Sequence, residues 1–177
     1  MSREFREKLS VTFFLVCFYL FMPKVGYLHA FGDARGHLLY MFSHANLWHL
    51  SGNIFVLWLM KPKLYLLWGM AIALGCSFLP CTGTLWDLIG GTDDGAVTMG
   101  FSGVLFAIGG VKWGRYWRHE SGRWPSDPLF GKRCPVRDFM TKVFPLSLLG
   151  VLIPHVNWCL HAWCMLGGFV FARLKKL

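Results

Sequence analysis

Ser102 and His161 are the residues of this chain best equipped for chemistry, each set in a stretch that is otherwise apolar. A serine hydroxyl attacks a carbonyl only when a base removes its proton, and imidazole is the usual base near neutral pH. The tetrahedral intermediate then needs hydrogen-bond donors aimed at its oxyanion. His49 and Asn53 could supply them together with the backbone N–H of Ser102; four residues apart, they stack one turn above the other on one helix face. Gly100 and Gly103 flank the serine and permit close approach of a neighbouring helix or a substrate backbone. Phe106, one turn after Ser102, could pack its ring on an imidazole, although plain helix packing explains it equally well. His161, Met165 and Gly168 share one helix face, and Gly167 with Gly168 would let that helix sit tightly against another. The apolar stretches hold no acidic residue to complete a triad; Asp93 and Asp94 lie in a loop, where carboxylates are ordinarily solvated. Taken singly, a helical serine can back-bond to a carbonyl and a lone histidine can bridge two helices. Three polar sets at one depth are harder to explain in that way.

The elements that must position these groups follow from composition. Of 177 residues 55% are hydrophobic and 15% charged, too little polar surface to cover a soluble domain of this size. Long apolar stretches predict an all-α polytopic membrane protein, a single domain over 1–177 with spans near 9–28, 47–60, 64–79, 96–111, 139–153 and 156–174. Several are short: Val97 to Val111 is 15 residues and rises only about 22 Å as a helix against a hydrocarbon core of about 30 Å, so the helices extend through polar flanks or the bilayer thins around them. The first stretch follows Arg3, Arg6 and Lys8 but lacks a small-residue cleavage site, which favours a retained helix over a signal peptide.

With the N-terminus cytoplasmic, 16 of the 18 Lys and Arg fall on the inner side, only Lys24 and Arg35 lying outside. Such sorting predicts an inner (plasma) membrane location with both termini cytoplasmic. Spans two, four and six then run from outside to inside, and their polar residues gather near the outer face. The net charge of +9 therefore reads as topology and lipid contact rather than nucleic-acid binding. The six cysteines show no metal-type spacing and most lie in or beside spans, so no disulfide framework is expected. A metal or haem site from His44, His49, His155 and His161 is a weaker reading, because the five-residue offset of His44 and His49 does not align them on one helix face. No cofactor or metal is implied, and the oligomeric state is open.

The series His44-Ala-Asn-Leu-Trp-His49-Leu-Ser-Gly-Asn53, then Gly100-Phe-Ser102-Gly103, then His161 followed by Gly168 resembles the rhomboid intramembrane serine proteases, over about His37 to Arg173. The individual motifs are weak, but all three stand in order in alternate spans with the matching orientation. The resemblance implies a six-transmembrane-helix rhomboid-like bundle that cleaves transmembrane protein substrates near the outer membrane face. It implies Ser102 as nucleophile, His161 as base, His49 and Asn53 as oxyanion donors, His44 as a brace of the first loop and Phe106 as the ring stacked on the catalytic histidine. Substrates with helix-weakening residues and a small side chain before the scissile bond would follow. The alternative is a catalytically inactive rhomboid-like protein that binds membrane clients. The Trp-Arg pair common in the first outer loop is absent, the Gly that often follows span two is replaced by Met60 and Lys61, and Ala107 and Cys164 stand where many members have Gly. The last two predict slightly looser packing of spans four and six.

Overall fold

A computed structural model describes residues 2–27, 33–60, 65–79, 97–118 and 157–175. These residues form six helices: α1 (Arg3–Phe21), α2 (Ala34–Leu39), α3 (Leu47–Leu59), α4 (Leu66–Cys76), α5 (Ser102–Arg118) and α6 (Trp158–Leu174). Among the described residues, no helix is long and apolar enough to cross a membrane. The stretch 139–153 lies outside the described residues.

Two helices depart from the apolar stretches that predict them. The first starts at Arg3 rather than Leu9 and stops at Phe21 rather than Leu28. Its charged opening is itself helical: Ser2 accepts from the N–H of Phe5, and the Arg3–Glu7 and Glu4–Lys8 pairs, at 2.9 and 3.2 Å, are spaced one turn apart. Pro23 lies just past the C-cap, Met22, and cannot continue the helix. The fourth stretch, predicted from residue 96, becomes helical only at Ser102. Ahead of it Thr98 is extended, pairing its backbone with Tyr27 in an isolated antiparallel bridge, and Gly100 has φ +125°, which ends any helical run. The segment 34–39 is a short helix capped by Asp33, whose carboxylate accepts from the N–H of Arg35.

The central element is α5. Val104, Leu105, Ala107, Ile108 and Val111 are buried, as befits the part of the helix before Lys112, which is apolar on all sides. It packs most extensively against α6 and then α4. Packing against α6 is close despite Ala107 and Cys164: a Cβ on Gly110 would overlap the backbone of Met165, one on Gly168 the carbonyl of Ala107, and one on Gly114 would lie 2.5 Å from the carbonyl oxygen of Phe169. Glycines elsewhere along the contact thus supply the close approach. On α6 the buried stripe runs His161, Cys164, Gly168 and Ala172. On the far side of the fold, α1 grips α3, with Trp58 Nε1 donating to Thr12 Oγ1 at 3.0 Å and Lys8 Nζ donating to the Trp58 carbonyl at 3.0 Å. Large apolar side chains such as Phe13, Leu20, Phe55 and Leu67 face outward while Tyr40, His37, His44 and Ser43 are buried, the reverse of the usual soluble pattern.

Cys159 is disulfide-bonded, one bond against the expectation that the cysteines build no disulfide framework. It stands in the first turn of α6, near the start of the apolar stretch 156–174. Cys17, Cys76 and Cys164 are free.

Candidate active site

Ser102 is the first residue of α5, and the chain reaches it through Gly100, whose N–H donates to the carbonyl of Tyr40 at 2.8 Å. A side chain at Gly100 would lie 2.6 Å from His49 Nε2 and 3.5 Å from Asn53 Nδ2, so this backbone is pressed against the His49 and Asn53 side chains of α3. Glycine is therefore required here twice over, for its φ and for its lack of a Cβ.

His161 comes from the second turn of α6, which starts on a cap made by Asn157: its Oδ1 accepts from the N–H of Leu160 at 2.9 Å. The same amide donates through Nδ2 to Thr98 Oγ1 at 2.9 Å, tying the start of α6 to the extended segment ahead of Ser102. Ser102 Oγ and His161 Nε2 are 2.7 Å apart. The Phe106 ring lies 4.3 Å from that of His161, at 16° between planes. The face of the imidazole is thus held by an aromatic ring, while its edge meets the hydroxyl. His161 Nδ1 is buried and has no hydrogen-bond partner among the described residues.

The Asn53 amide nitrogen is likewise buried without a partner among the described residues. An unsatisfied donor in such a place is costly unless something else meets it. His49 is half-buried, its own N–H donated to the Asn46 side chain at the start of α3.

His44 has a different place. Its Nδ1 lies 3.1 Å from the carbonyl of Phe42, which can only accept, so that nitrogen carries the proton. The opposite nitrogen then accepts from the N–H of Phe101 at 3.4 Å. With both ring nitrogens engaged by backbone, His44 joins the segment before α3 to the one before α5.

A second serine–histidine pair has the opposite character. His37 Nδ1 is 2.9 Å from Ser77 Oγ, but that hydroxyl gives its proton to the carbonyl of Leu74 at 2.7 Å and so accepts from the imidazole. The His37 ring is fully buried, stacked between Tyr27 and Phe78. This arrangement pins α2 to the end of α4 and leaves no hydroxyl to activate.

Tyr40, which the sequence offers only as part of the stretch leading into His44, Thr98 and Asn157 carry no expected role in the site. Asn157 alone carried a signal, as an Asn directly before an apolar helix. Among the described residues no three His, Cys, Asp or Glu side chains gather as a metal site would require; His155 lies outside them.

A family model described as the Rhomboid domain matches residues 32–176, most of the chain. The protein belongs to the rhomboid family. No curated protein matches the chain, and no solved structure does. Rhomboid proteins are membrane-embedded; most are intramembrane serine proteases and some are inactive relatives. Lipid contact accounts for the outward-facing apolar side chains of this rhomboid protein.

Proposed function

We propose that this rhomboid protein is a serine endopeptidase that cuts transmembrane protein substrates near the outer membrane face, with Ser102 as nucleophile and His161 as general base. The observation that carries the reading is the 2.7 Å approach of Ser102 Oγ to His161 Nε2. In the proposed reaction His161 takes the hydroxyl proton as Oγ bonds to the scissile carbonyl carbon, then returns it to the departing amine. Water deprotonated by the same imidazole releases the acyl group from Ser102. The intermediate oxyanion is met by Asn53 Nδ2, His49 and the N–H of Ser102 at the start of α5, where the helix dipole adds positive potential. Stacking by Phe106 orients the base in place of a carboxylate.

We read the chain as six spans with both termini on the cytoplasmic side of the inner (plasma) membrane, supported by the sorting of Lys and Arg. Helices of 17 residues in α5 and α6 rise about 26 Å, which fits a locally thinned bilayer. Gly100 and His44 serve as supports that let the loop before Ser102 lie against α3, and Gly103 admits Tyr40 and α6 beside the start of α5.

Cleavage of a single-span substrate in liposomes, by wild type and by Ser102→Ala, tests the reading. Cleavage by wild type alone is expected; equal cleavage by both proteins sinks the assignment. A folded protein that neither cleaves nor takes a fluorophosphonate label favours the client-binding alternative.

A further inference from the structure

The contact between Ser102 and His161 is made near the ends of two helices, where a helix is least constrained. Ser102 is the first residue of α5 and His161 the fourth of α6. The N–H of His161 bonds back to the carbonyl of Asn157 at 3.4 Å, a long bond at an end that tends to fray. Gly110, Gly114 and Gly168, where the two backbones approach most closely, lie further along both helices. Nearer the dyad a Cβ on Gly103 would meet Cys164 Sγ at 3.5 Å and Leu160 Cδ2 at 3.6 Å, ordinary apolar contact with α6. Such contact is non-directional and does not fix how far α6 slides beside α5.

Asn157 supplies a directional link at this level. The N–H of Leu160 can only donate, so the amide oxygen must face it, at 2.9 Å, and the amide nitrogen is left facing Thr98. Nδ2 donates to Thr98 Oγ1 at 2.9 Å. Thr98 is itself held, its N–H and carbonyl paired with those of Tyr27 at 2.8 and 3.2 Å. Ser102 follows Thr98 by four residues, and His161 follows Asn157 by four. The two segments therefore close a ring, joined at one end by the Asn157–Thr98 bond and at the other by the Ser102–His161 contact.

We propose that Asn157 and Thr98 are positioning residues for the proposed dyad, their bond setting the height of His161 opposite Ser102. The inference rests on the dyad reading and goes beyond it, since neither side chain takes part in the proposed hydrolysis. A slide of α6 by about 1 Å carries the 2.7 Å contact beyond hydrogen-bond range, and a misplacement of that size costs up to about 100-fold in rate. Both partners of the tie are half-buried, so water meets the freed atoms when it is broken and the fold loses little. The bond thus matters more to rate than to stability.

The test follows fluorophosphonate labelling of the full chain in liposomes over time, alongside kcat and KM for a single-span substrate. The rate constant of labelling reports attack by Ser102, and its end point reports folded protein. Thr98→Val removes the acceptor while keeping the branched shape and the backbone pairing. Asn157→Ser keeps a capping hydroxyl that is too short to reach Thr98. Each should slow labelling and lower kcat by about tenfold, with the end point, KM and Tm little changed. The double variant should be no slower than either single one, because the same bond is lost in all three. Thr98→Ser, which restores the acceptor, should recover most of the rate. A wild-type rate in Thr98→Val, a Thr98→Ser as slow as Thr98→Val, losses that multiply in the double variant, or a lower end point reached at the wild-type rate each overturn the positioning role. Unlabelled wild type would refute the dyad reading itself, a result separate from a labelled wild type with an indifferent Thr98→Val.

Discussion

The ring of Phe106 lies face to face with the imidazole of His161, 4.3 Å between centroids and 16° between planes. Since His161 Nδ1 meets no partner among the described residues, stacking and the Ser102 contact are what orient this ring there. An aromatic pair contributes about 1 kcal/mol beyond area burial. Phe106→Ala should therefore lower kcat for a model substrate by about fivefold, while Phe106→Tyr, which keeps the ring, stays near wild type. Equal losses in the two variants would mean that keeping the ring does not keep the rate, against a stacking role for Phe106.

His44 joins two segments through backbone alone, so its removal should be felt first in stability. His44→Ala leaves the N–H of Phe101 and the carbonyl of Phe42 without their partners in a buried site. Each such loss costs about 1–3 kcal/mol. Thermal unfolding in detergent should show a clearly lower Tm for His44→Ala, with labelling of Ser102 falling in parallel. A normal Tm with lost labelling would instead place His44 in the reaction.

The polar residues that meet in space were visible in the sequence as exceptions in apolar stretches, because Ser102 and His161 have no ordinary reason to recur at one depth. Helix ends were less visible. Hydropathy cannot register that Arg3 to Lys8 is helical, since its support comes from a cap and charge pairs one turn apart. It also cannot foresee that Thr98 is extended and that the helix waits until Ser102, because the cause is the pairing of Thr98 with the distant Tyr27. Looser packing was inferred from Ala107 and Cys164 one position at a time, whereas the close approach comes from Gly110, Gly114 and Gly168 at other levels of the same contact.

Glycines of the bundle should divide sharply by what faces them. A Cβ on Gly168 would overlap the carbonyl of Ala107, and only separation of α5 from α6 relieves it. Gly168→Ala should cost about 1–3 kcal/mol and reduce labelling of Ser102, since His161 moves with α6. A Cβ on Gly75 meets nothing within 4 Å, so Gly75→Ala should gain about 0.5–1 kcal/mol from helix propensity. Thermal unfolding of the two variants checks the contrast, and a shift of the same sign in both would contradict it.

Asn53 should show the reverse of His44, activity lost with stability kept. Its amide nitrogen is buried, unpartnered among the described residues and next to Gly100, two residues before Ser102. A donor held in that state is already desolvated and oriented, so it needs no reorganisation when an oxyanion forms beside it. Removing one such donor costs about 100- to 1,000-fold in kcat. Asn53→Ala should show a loss of that order with KM little changed, because the bond strengthens only as charge develops. Stability should move little, since no protein partner of that nitrogen is orphaned by the change. Kinetics in liposomes and unfolding in detergent separate the outcomes: a large fall in Tm with kcat preserved would make Asn53 a structural residue and leave the oxyanion to His49 and the backbone.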